Sequence, residues 1–355
     1  MMRRIRSART IVATALGRLR HKPRAAYIGW AGHGNLGDDV MLTAASRLVG
    51  QSLEVLQSPR LESLLAKAGL AGPRLFARAF LGGGTLINRD YLPAVESTLA
   101  RGLRIASLGT GVGSAGFSMA EGGLDPRWIA ALRRFEGVGV RGPLSQEKLA
   151  SGGLRDVAIV GDLALVHTPE QAIADYASRR FVVNCAPARD AADSMAMDRA
   201  NAALANVVRE LACAGWDPIP VAFDRADRQP LVALMAGAGL SGLPIAAPVN
   251  MAEYRAIASR ASLSIGVRLH SAVLAAACGV VPVLIGYRDK CRDFAASIND
   301  ERMVVPLDAV NGDVLLNVTS DAISQLERLG RDAHDRCRHL RVRLVSFADG
   351  LAPVP

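Results

Sequence analysis

The sequence has few aromatic residues and no long apolar run. Phe, Trp and Tyr make up 5% of the 355 residues, whereas apolar residues make up 50%. The core must therefore be built mainly from Ala, Val, Leu and Ile, which is typical of parallel strands covered by helices. No run approaches the length of a membrane span. This composition predicts an α/β protein, and the chain length fits two domains of common size.

Cysteines are also few, and none of the five belongs to a CxxC pair: Cys185, Cys213, Cys278, Cys291 and Cys337. This spacing indicates neither a disulfide framework nor a zinc site, and it favours a reducing cytoplasm. Nothing else in the sequence indicates a metal, and we expect no cofactor.

The formal net charge is +9, with arginine far outnumbering lysine. A basic chain suggests anionic partners such as a phosphorylated substrate, a phospholipid surface or a polyanionic glycan. The basic residues are not interleaved with aromatic residues as in nucleic-acid-binding proteins, so we expect no nucleic acid partner.

Both ends of the chain are basic. Residues 1–24 contain a short apolar run that arginines interrupt, which makes a poor signal peptide. This segment is either an amphipathic helix on anionic lipid, a helix packed on the domain or a solvated extension; the apolar residues that can share its face are Ile5, Val12, Leu16 and Leu19.

A last helix is predicted over about residues 321–347, with six arginines: Arg328, Arg331, Arg336, Arg338, Arg341 and Arg343. Its basic face is either solvated or in contact with a membrane or polyanion. We therefore expect a cytoplasmic protein, with peripheral contact at the inner face of the membrane left open.

The chain divides by pattern into two similar halves. A buried strand at 25–29 opens the first half, and a strand at 180–184 opens the second after a polar link at 167–179. We predict a basic extension at 1–24, Rossmann-like domains at 25–170 and 171–320, and a C-terminal basic helix and tail at 321–355.

The first turn reads Gly-His-Gly-Asn-Leu-Gly-Asp-Asp over residues 32–39. Its glycines match the dinucleotide fingerprint only formally, because Asp38 and Asp39 stand where a pyrophosphate would bind. We interpret the glycines as shaping a turn between the first strand and a helix predicted from Val40 to about Val49. Asn35, Asp38 and Asp39 then face a cleft as ligands of acceptor hydroxyls, or they cap the helix, and both readings stay open.

Further glycine-rich loops follow later strands of the first half. The glycines at 82–84 leave Thr85, Asn88 and Asp90 at the rim of the same edge, and a second loop lies at 109–113. A strand at 137–140 delivers Arg141 at its end, and the next strand closes with Gly161 and Asp162. Open α/β sheets bind ligands at the edge where such strands end.

The second half carries the most informative stretch, Ser-Ile-Gly-Val-Arg-Leu-His-Ser over 264–271. A strand at 263–266 ends there, and the alternation of a strand predicts that Arg268 and His270 point to one side. The N-terminus of a small-residue helix at 272–278 adds partial positive charge, and Lys290 follows the next strand. We predict a site for a small, highly charged anion, unless Arg268 and His270 merely cap a core element.

These motifs in this order resemble the polysaccharide pyruvyl transferase family over about residues 25–300. The matching positions are Gly32-x-Gly-Asn-x-Gly-Asp-Asp39, Gly82-Gly-Gly-Thr-Leu86 with Asp90, Gly109-x-Gly111, Arg141 with Ser145 and Leu149, Gly161-Asp162-x-Ala164, Arg268-Leu-His270, Pro282 and Tyr287-x-x-Lys290. One departure is Gly142, where many members have Asp after the arginine.

The resemblance implies a GT-B fold, with two Rossmann-like domains facing a cleft. It also implies transfer of the enolpyruvyl-derived group of phosphoenolpyruvate onto two hydroxyls of a sugar, which forms a pyruvate ketal in a cell-envelope polysaccharide or glycolipid precursor and releases phosphate. It implies that Arg141, Arg268 and His270 contact this donor.

The chemistry of this reaction suggests a role for each residue. Two or three fixed cations are needed to desolvate and orient the donor, and we assign Arg141 and Arg268 to this clamp with Lys290 as the third. His270 is our candidate for the general acid that protonates the methylene carbon. The acceptor side comprises Asn35, Asp38, Asp39, Thr85 and Asp90, where Asp38 or Asp39 either accepts a hydroxyl proton or aligns the sugar. We expect the cleft to close over both substrates.

Two other functions remain open from the sequence. A GT-B glycosyltransferase with a nucleotide-sugar donor is the nearer one, although the helix after Arg268 lacks the carboxylate that commonly holds a ribose in such enzymes. The other is a binding protein that has lost the chemistry. The acceptor's identity, whether lipid-linked, free or polymeric, is also open, as is the choice between a monomer and a homo-oligomer.

Overall fold

The computed structural model describes residues 14–16, 18, 25–56, 59–69, 75–115, 118–119, 123–188 and 191–351. Three residues of the predicted N-terminal amphipathic face, Ile5, Val12 and Leu19, lie outside the described residues. The first described arginine, Arg18, is buried and its guanidinium donates to Glu62 at 2.7 and 2.9 Å.

The first half of the chain builds one parallel sheet in the order β2-β1-β3-β5-β8-β9, with β4 paired to β5. Its elements are β1 (Ala25–Ile28), α1 (Leu36–Val49), β2 (Glu54–Val55), α2 (Pro59–Lys67), β3 (Arg78–Leu81), β4 (Gly84–Ile87), α3 (Leu92–Ala100), β5 (Arg104–Val112), the short pair β6 (Ser114–Ala115) and β7 (Ser118–Met119), α4 (Pro126–Leu132), β8 (Gly137–Val140), α5 (Pro143–Ser151) and β9 (Ala158–Ile159).

The second half builds another parallel sheet in the order β11-β10-β12-β13-β14. Its elements are β10 (Arg180–Asn184), α6 (Ala191–Cys213), β11 (Asp217–Pro220), α7 (Arg228–Gly237), α8 (Met251–Ala258), β12 (Leu263–Gly266), α9 (Leu269–Cys278), β13 (Val281–Gly286), α10 (Asp289–Ser297), β14 (Val304–Pro306), α11 (Gly312–Ile323) and α12 (Leu326–Gly350). Short 3₁₀ helices lie at Leu163–His167, Arg225–Asp227 and Glu301–Met303.

The predicted α/β class is confirmed, and the packing shows why the composition required it. The inner strands are buried along their length, as strands of a parallel sheet with helices on both faces must be. Helix α9 is buried at every position except His270, because its small side chains let it pack closely against the sheet. Since the strands of each sheet run parallel, their carboxyl ends meet at one edge.

The C-terminal helices tie the two halves together. The predicted helix at 321–347 is in fact two helices, because the chain leaves helical geometry at Gln325. Leu340 and Leu344 of α12 join a core cluster that also contains Tyr27 and Leu108 of the first sheet. The domain boundaries at residues 170 and 320 stay predictions.

Several arginines of α12 have partners within the protein. Arg336 donates to the carbonyls of Ile298 and Asn299 at 2.8 Å each, and Arg338 and Arg341 pair with Glu170. These contacts account for part of the basic face without a membrane. In the part of the chain that the structure describes, every helix is too short or too polar to cross a bilayer.

Two helices begin earlier than the sequence predicted, and both beginnings lie at the edge where the strands end. Helix α1 begins at Leu36, because the side chain of Asn35 accepts from the backbone N–H of Asp38. Helix α9 begins at Leu269 rather than residue 272, and the Ser271 hydroxyl donates to the Arg268 carbonyl at 2.6 Å. His270 therefore lies in the first turn of a helix. The helix turn, and not strand alternation, places it beside Arg268.

Candidate active site

A cleft of about 1120 Å³ lies between the carboxyl edges of the two sheets. Its lining includes eight of the nine residues that the sequence singled out: Asn35, Asp38, Thr85, Asp90, Arg141, Arg268, His270 and Lys290. The ninth, Asp39, lines a smaller neighbouring pocket, and its carboxylate accepts from the backbone N–H of Gly32 at 2.6 Å. The fold thus brings the predicted donor and acceptor residues of both halves into one space.

Arg268 lies between the end of β12 and the start of α9, and it is fixed by a buried carboxylate. Its Nε and Nη2 donate to Asp227 Oδ1 at 3.0 and 2.5 Å, and its backbone N–H donates to Asn184 at 3.1 Å. Asp227 is fully buried and also accepts from the backbone N–H groups of Phe223 and Asp224. These bonds leave Nη1 as the guanidinium nitrogen available to a ligand in the cleft.

Arg141 ends the β8 strand and is held in the same way by Asp162. Its Nε donates to Asp162 Oδ2 at 2.9 Å, its Nη2 donates to the Gly84 carbonyl at 2.5 Å, and both charged side chains are 0% exposed. A Cβ at Gly111 would lie 2.6 Å from Arg141 Nη1, so a residue without a side chain is needed there. Asp162 also caps the 3₁₀ helix that follows, by accepting from Ala164 N–H at 3.0 Å.

His270 lies between the two arginine–aspartate pairs. Its Nε2 is 3.8 Å from Asp162 Oδ1, which is too long for a hydrogen bond, and its side chain is 13% exposed. A Cβ at Gly37 would lie 2.0 Å from His270 Nδ1, so the glycine of α1 is what admits the imidazole. Burial, followed by the charges of Arg141, Lys290 and Arg268, lowers the pKa of His270 to about 4 against the opposing effect of Asp162. The His270 imidazole is therefore neutral at neutral pH.

The pKa of Asp38, in the first turn of α1, is shifted in the opposite direction to that of His270. Burial, helped by Asp39 and Asp162, raises the pKa of Asp38 to about 7, although Lys290 and Arg268 lower it. Burial likewise raises the pKa of Tyr91, on the same cleft wall, to about 12, with Asp38 and Asp90 adding to the effect. Asp38 can thus exchange a proton near neutral pH, whereas Tyr91 remains a hydrogen-bond donor.

Lys290 is the second residue of α10, and this helix is fastened to the first half. The buried carboxylate of Asp293 accepts from Ser145 N–H at 3.1 Å and from Ser145 Oγ at 2.6 Å. Lys148 pairs with Asp289 at 2.7 Å. The Nζ of Lys290 itself lies 4.9 Å from the centre of the Tyr287 ring. These contacts, together with Leu36 N–H donating to the Phe223 carbonyl at 2.8 Å, join the halves around the cleft.

The remaining acceptor-side residues differ in what they can offer. Asn35 caps α1 and also donates to Asp224 at 3.3 Å, so it serves the fold as well as lining the cleft. Asp90 has a side chain that is 59% exposed and lies 3.7 Å from Arg89 Nε. Asn88, which the sequence left at the rim, is 4% exposed and organises the loop by accepting from Asp90 N–H at 2.8 Å.

Three buried polar atoms on the cleft wall lack a hydrogen-bond partner in the described part of the chain: Thr85 Oγ1, Arg141 Nη1 and His270 Nε2. Buried polar groups are nearly always paired in folded proteins, so a cluster of unpaired ones marks where a polar ligand binds. The described residues contain no group of three or more His, Cys, Asp or Glu side chains arranged to hold a metal ion.

Sequence reasoning missed the residues that hold the site in place. Asp227, Asn184 and Asp293 were not singled out, although Asp224 and Asp227 flank a short turn after a strand, where a capping box is common. Asp162 was noticed as part of a motif, but its contacts with Arg141 and His270 join residues far apart in the chain. Such pairs are revealed only when the first sheet is formed, for Arg141, and when the two halves meet at the cleft, for His270.

Comparison with solved structures shows the fold. A co-structure of S. aureus MnaA with UDP aligns with a TM-score of 0.57 and 9% identity over 88% of this chain and 91% of that chain. Anabaena Alr3699/HepE in complex with UDP and glucose aligns with a TM-score of 0.54 and 10% identity over 92% of this chain and 97% of that chain. The UDP-GlcNAc 2-epimerase from Methanocaldococcus jannaschii aligns with a TM-score of 0.53 and 9% identity over 90% of this chain and 99% of that chain. The neighbours are glycosyltransferases and epimerases of GT-B type, so the predicted GT-B architecture is confirmed.

Comparison at the level of sequence identifies the family. A search of curated protein sequences found no match. The family model for polysaccharide pyruvyl transferase, in contrast, matches residues 35–289, from the cap of α1 to the start of α10. The matched region includes Asp38, Arg141, Arg268 and His270, and it covers the bulk of the chain. With its cleft, its paired arginines and this match, the chain belongs to the polysaccharide pyruvyl transferase family.

Proposed function

We propose that this protein transfers the enolpyruvyl-derived group of phosphoenolpyruvate onto two hydroxyls of a sugar, forming a pyruvate ketal and releasing phosphate. The observation that carries the proposal is the position of two nitrogens, Arg141 Nη1 and His270 Nε2, that have no hydrogen-bond partner among the described residues and lie on a cleft wall shared with Arg268 and Lys290. A small molecule with a carboxylate and a phosphate would neutralise such a cluster.

The cations of the cleft bind and orient the donor in this mechanism. Arg141 and Arg268 are already held by Asp162 and Asp227, so little conformational freedom is lost when they engage the carboxylate and the phosphate. Lys290 supplies a third charge from α10. Because α10 is fastened to the first half through Asp293, these charges are arranged before the donor arrives.

His270 protonates the donor. Before the donor binds, the imidazole is neutral, because burial and three nearby cations lower the pKa of His270 to about 4. A bound trianionic or dianionic donor offsets those cations, which raises the pKa of His270 and lets it carry a proton. The proton goes to the methylene carbon, which becomes the methyl group, while positive charge develops at the adjacent carbon that bears the phosphate.

Two sugar hydroxyls complete the ketal. The first hydroxyl adds to the carbon that bears the phosphate and gives its proton to Asp38, whose pKa of about 7 suits a base near neutral pH. The carbon–oxygen bond to phosphate then breaks. The second hydroxyl adds to the same carbon, and its proton leaves with the phosphate. Of the two hydroxyl protons, one leaves with the phosphate and the other, passed on from Asp38 through solvent, replaces the proton that His270 gave to the methyl group, so the step balances.

A direct assay tests the proposal. Purified protein is incubated with phosphoenolpyruvate and a panel of lipid-linked and nitrophenyl sugars, while phosphate release and the mass of each sugar are followed. We expect phosphate to appear only with an acceptor that gains the mass of a pyruvate ketal. Stoichiometric phosphate release without a mass gain, or no reaction with any sugar, would contradict it.

A glycosyltransferase with a nucleotide-sugar donor is the second candidate, and the solved neighbours with UDP favour it. Against it, α9 reads Leu-His-Ser-Ala-Val-Leu-Ala-Ala-Ala-Cys and offers no carboxylate for a ribose. Thermal-shift measurements separate the two functions. Stabilisation by UDP or UDP-glucose, but not by phosphoenolpyruvate, would support the glycosyltransferase.

A further inference from the structure

The loop after β1 places an unusual aromatic pair at the cleft. Trp30 is 54% exposed, whereas the other two tryptophans, Trp128 and Trp216, are 0% and 8% exposed. Trp30 stacks on His33 with ring centroids 3.9 Å apart and an interplanar angle of 19°. Both rings line the cleft that holds Arg268 and His270. A large flat apolar surface in water, at the wall of a polar cleft, is suited to binding a ligand.

The loop that carries this pair is fixed in place. Gly32 adopts a φ of +82° and its N–H donates to Asp39 Oδ1 at 2.6 Å, which turns the chain between the two rings. The loop ends at Asn35, which caps α1 and is bridged to Asp224 of the second half. The aromatic surface is therefore arranged before a ligand binds, which reduces the entropy lost on binding.

We propose that Trp30, supported from behind by His33, is a stacking platform for a pyranose ring of the acceptor. This inference rests on the proposed function and specifies its acceptor side. One face of a pyranose exposes C–H groups, which pack on an indole, while its hydroxyls project from the edge of the ring. The same cleft offers oxygen atoms to those hydroxyls from Thr85, Asp38 and Asp90.

The carboxyl groups of the cleft suit the hydroxyls of a sugar on this platform. A nucleotide stacked on Trp30 would bring its phosphates into a cleft whose wall also contains the carboxyl groups of Asp38 and Asp90. Carboxylates repel phosphates and accept hydrogen bonds from hydroxyls. The cations, in contrast, are committed to the small anionic donor by the proposed mechanism.

Intrinsic fluorescence gives a test that does not depend on turnover. Because Trp30 is the exposed one of three tryptophans, it should dominate any ligand-induced change in emission. Methyl glycosides of glucose, galactose, mannose, N-acetylglucosamine and N-acetylmannosamine are titrated into the wild type and the Trp30→Phe variant, with uridine as a competitor of different chemistry. We expect a saturable change with at least one glycoside, lost in Trp30→Phe. A response to uridine alone, or to none of the ligands, overturns the platform.

Kinetics with the accepted sugar provide the second arm. Trp30→Ala should raise the acceptor KM about 10-fold or more, because the variant loses the whole stacking surface. Trp30→Phe should restore most of the affinity, and the KM for phosphoenolpyruvate should stay within about 2-fold in both variants. Val249→Ala, which trims another exposed apolar side chain outside the cleft, is the matched control.

The two proposals fail in different ways. If glycosides alter Trp30 emission but no sugar is pyruvylated, the proposed function fails and the platform stands as a sugar-binding site. If pyruvylation proceeds and Trp30→Ala leaves the acceptor KM unchanged, the platform fails and the proposed function stands.

Discussion

Each half of the molecule places one arginine at the carboxyl end of a parallel strand and holds it with a buried aspartate. In the first half, Arg141 and Asp162 are both 0% exposed. In the second half, Arg268 is 12% exposed and Asp227 is 0% exposed. Among the described residues, the Asp227 carboxylate has three other donors besides its arginine, whereas the Asp162 carboxylate has one backbone donor, Ala164.

This difference indicates how the work is divided between the two arginines. Removing Arg141 leaves a fully buried carboxylate with little compensation, so Arg141 should support the fold as well as the ligand. Removing Arg268 leaves a carboxylate that other groups still solvate, so Arg268 should matter mainly for the ligand. The sequence, in which both arginines simply follow strands, cannot distinguish these roles.

The largest expected effect is a loss of turnover when Arg268 or His270, both in the second half, is replaced. Arg268→Ala and His270→Ala should each lower kcat/KM for phosphoenolpyruvate by about 1000-fold or more, because each removes a charge or proton donor at the reacting group. Phosphate release measures the rate, and circular dichroism checks the fold. Arg343→Ala, at an exposed position of α12, is the control. Near-normal turnover in either cleft variant would remove that residue from the mechanism.

The next largest effect is on the free energy of unfolding. It distinguishes the Arg141–Asp162 pair from the Arg268–Asp227 pair. Arg141→Ala should lower the free energy of unfolding by about 3–5 kcal/mol, the usual cost of leaving a buried charge unpaired. Arg268→Ala should cost clearly less, about 1–2 kcal/mol, because Asp227 retains its other donors. Urea unfolding measures both. Adding Asp162→Asn to an Arg141→Met variant should recover part of the loss, and equal losses for the two single variants would contradict the comparison.

A smaller effect on kcat/KM is expected at the contact between Gly37 of the first half and His270 of the second half. Gly37→Ala should reduce kcat/KM about 10- to 100-fold, because its Cβ would lie 2.0 Å from His270 Nδ1 and would displace the imidazole. Gly237→Ala is the matched helical control, since its Cβ would meet Ala205 at an ordinary 3.7 Å. Unchanged kinetics in Gly37→Ala would show that the imidazole does not need its present position.

The smallest effect is on the pH dependence of stability. The folded-state pKa of Asp38, about 7, lies above its ordinary value of 3.8, so the stability linked to its proton is complete below that ordinary value and is lost as pH rises through about 7. Asp38→Asn should therefore raise the melting temperature relative to wild type by a few degrees at about pH 8 and by less at about pH 5.

His270 supplies a test with the opposite sign. Its folded-state pKa of about 4 lies below the ordinary 6.5, so its stabilising effect is present above that ordinary value and is lost as pH falls through about 4. The melting-temperature difference between His270→Gln and wild type should thus move in favour of the variant toward acid. If the melting temperatures of both variants and wild type change in parallel with pH, the pKa of neither group is shifted.

Most of the fold and many of the cleft residues were predictable because their signals are local. Apolar runs of strand length, glycines after strand ends and cations at the last strand residue lie within a few positions of each other. Asp38, Arg141, Arg268 and His270 could therefore be named from the sequence. The helix starts at Leu36 and Leu269 were missed, because the capping of α1 by Asn35 and the extended backbone of Arg268 before α9 are set by the folded chain.

The sequence by itself determined the parallel α/β architecture and the kinds of side chain that its strands deliver to one edge, since both follow from local spacing and hydrophobicity. Only the tertiary structure decided which carboxylate holds which arginine and which titratable groups have shifted pKa values. It also decided that Trp30 faces the cleft. Those outcomes depend on burial and on distances between residues far apart in the chain, which arise only when each sheet forms and the two halves pack together.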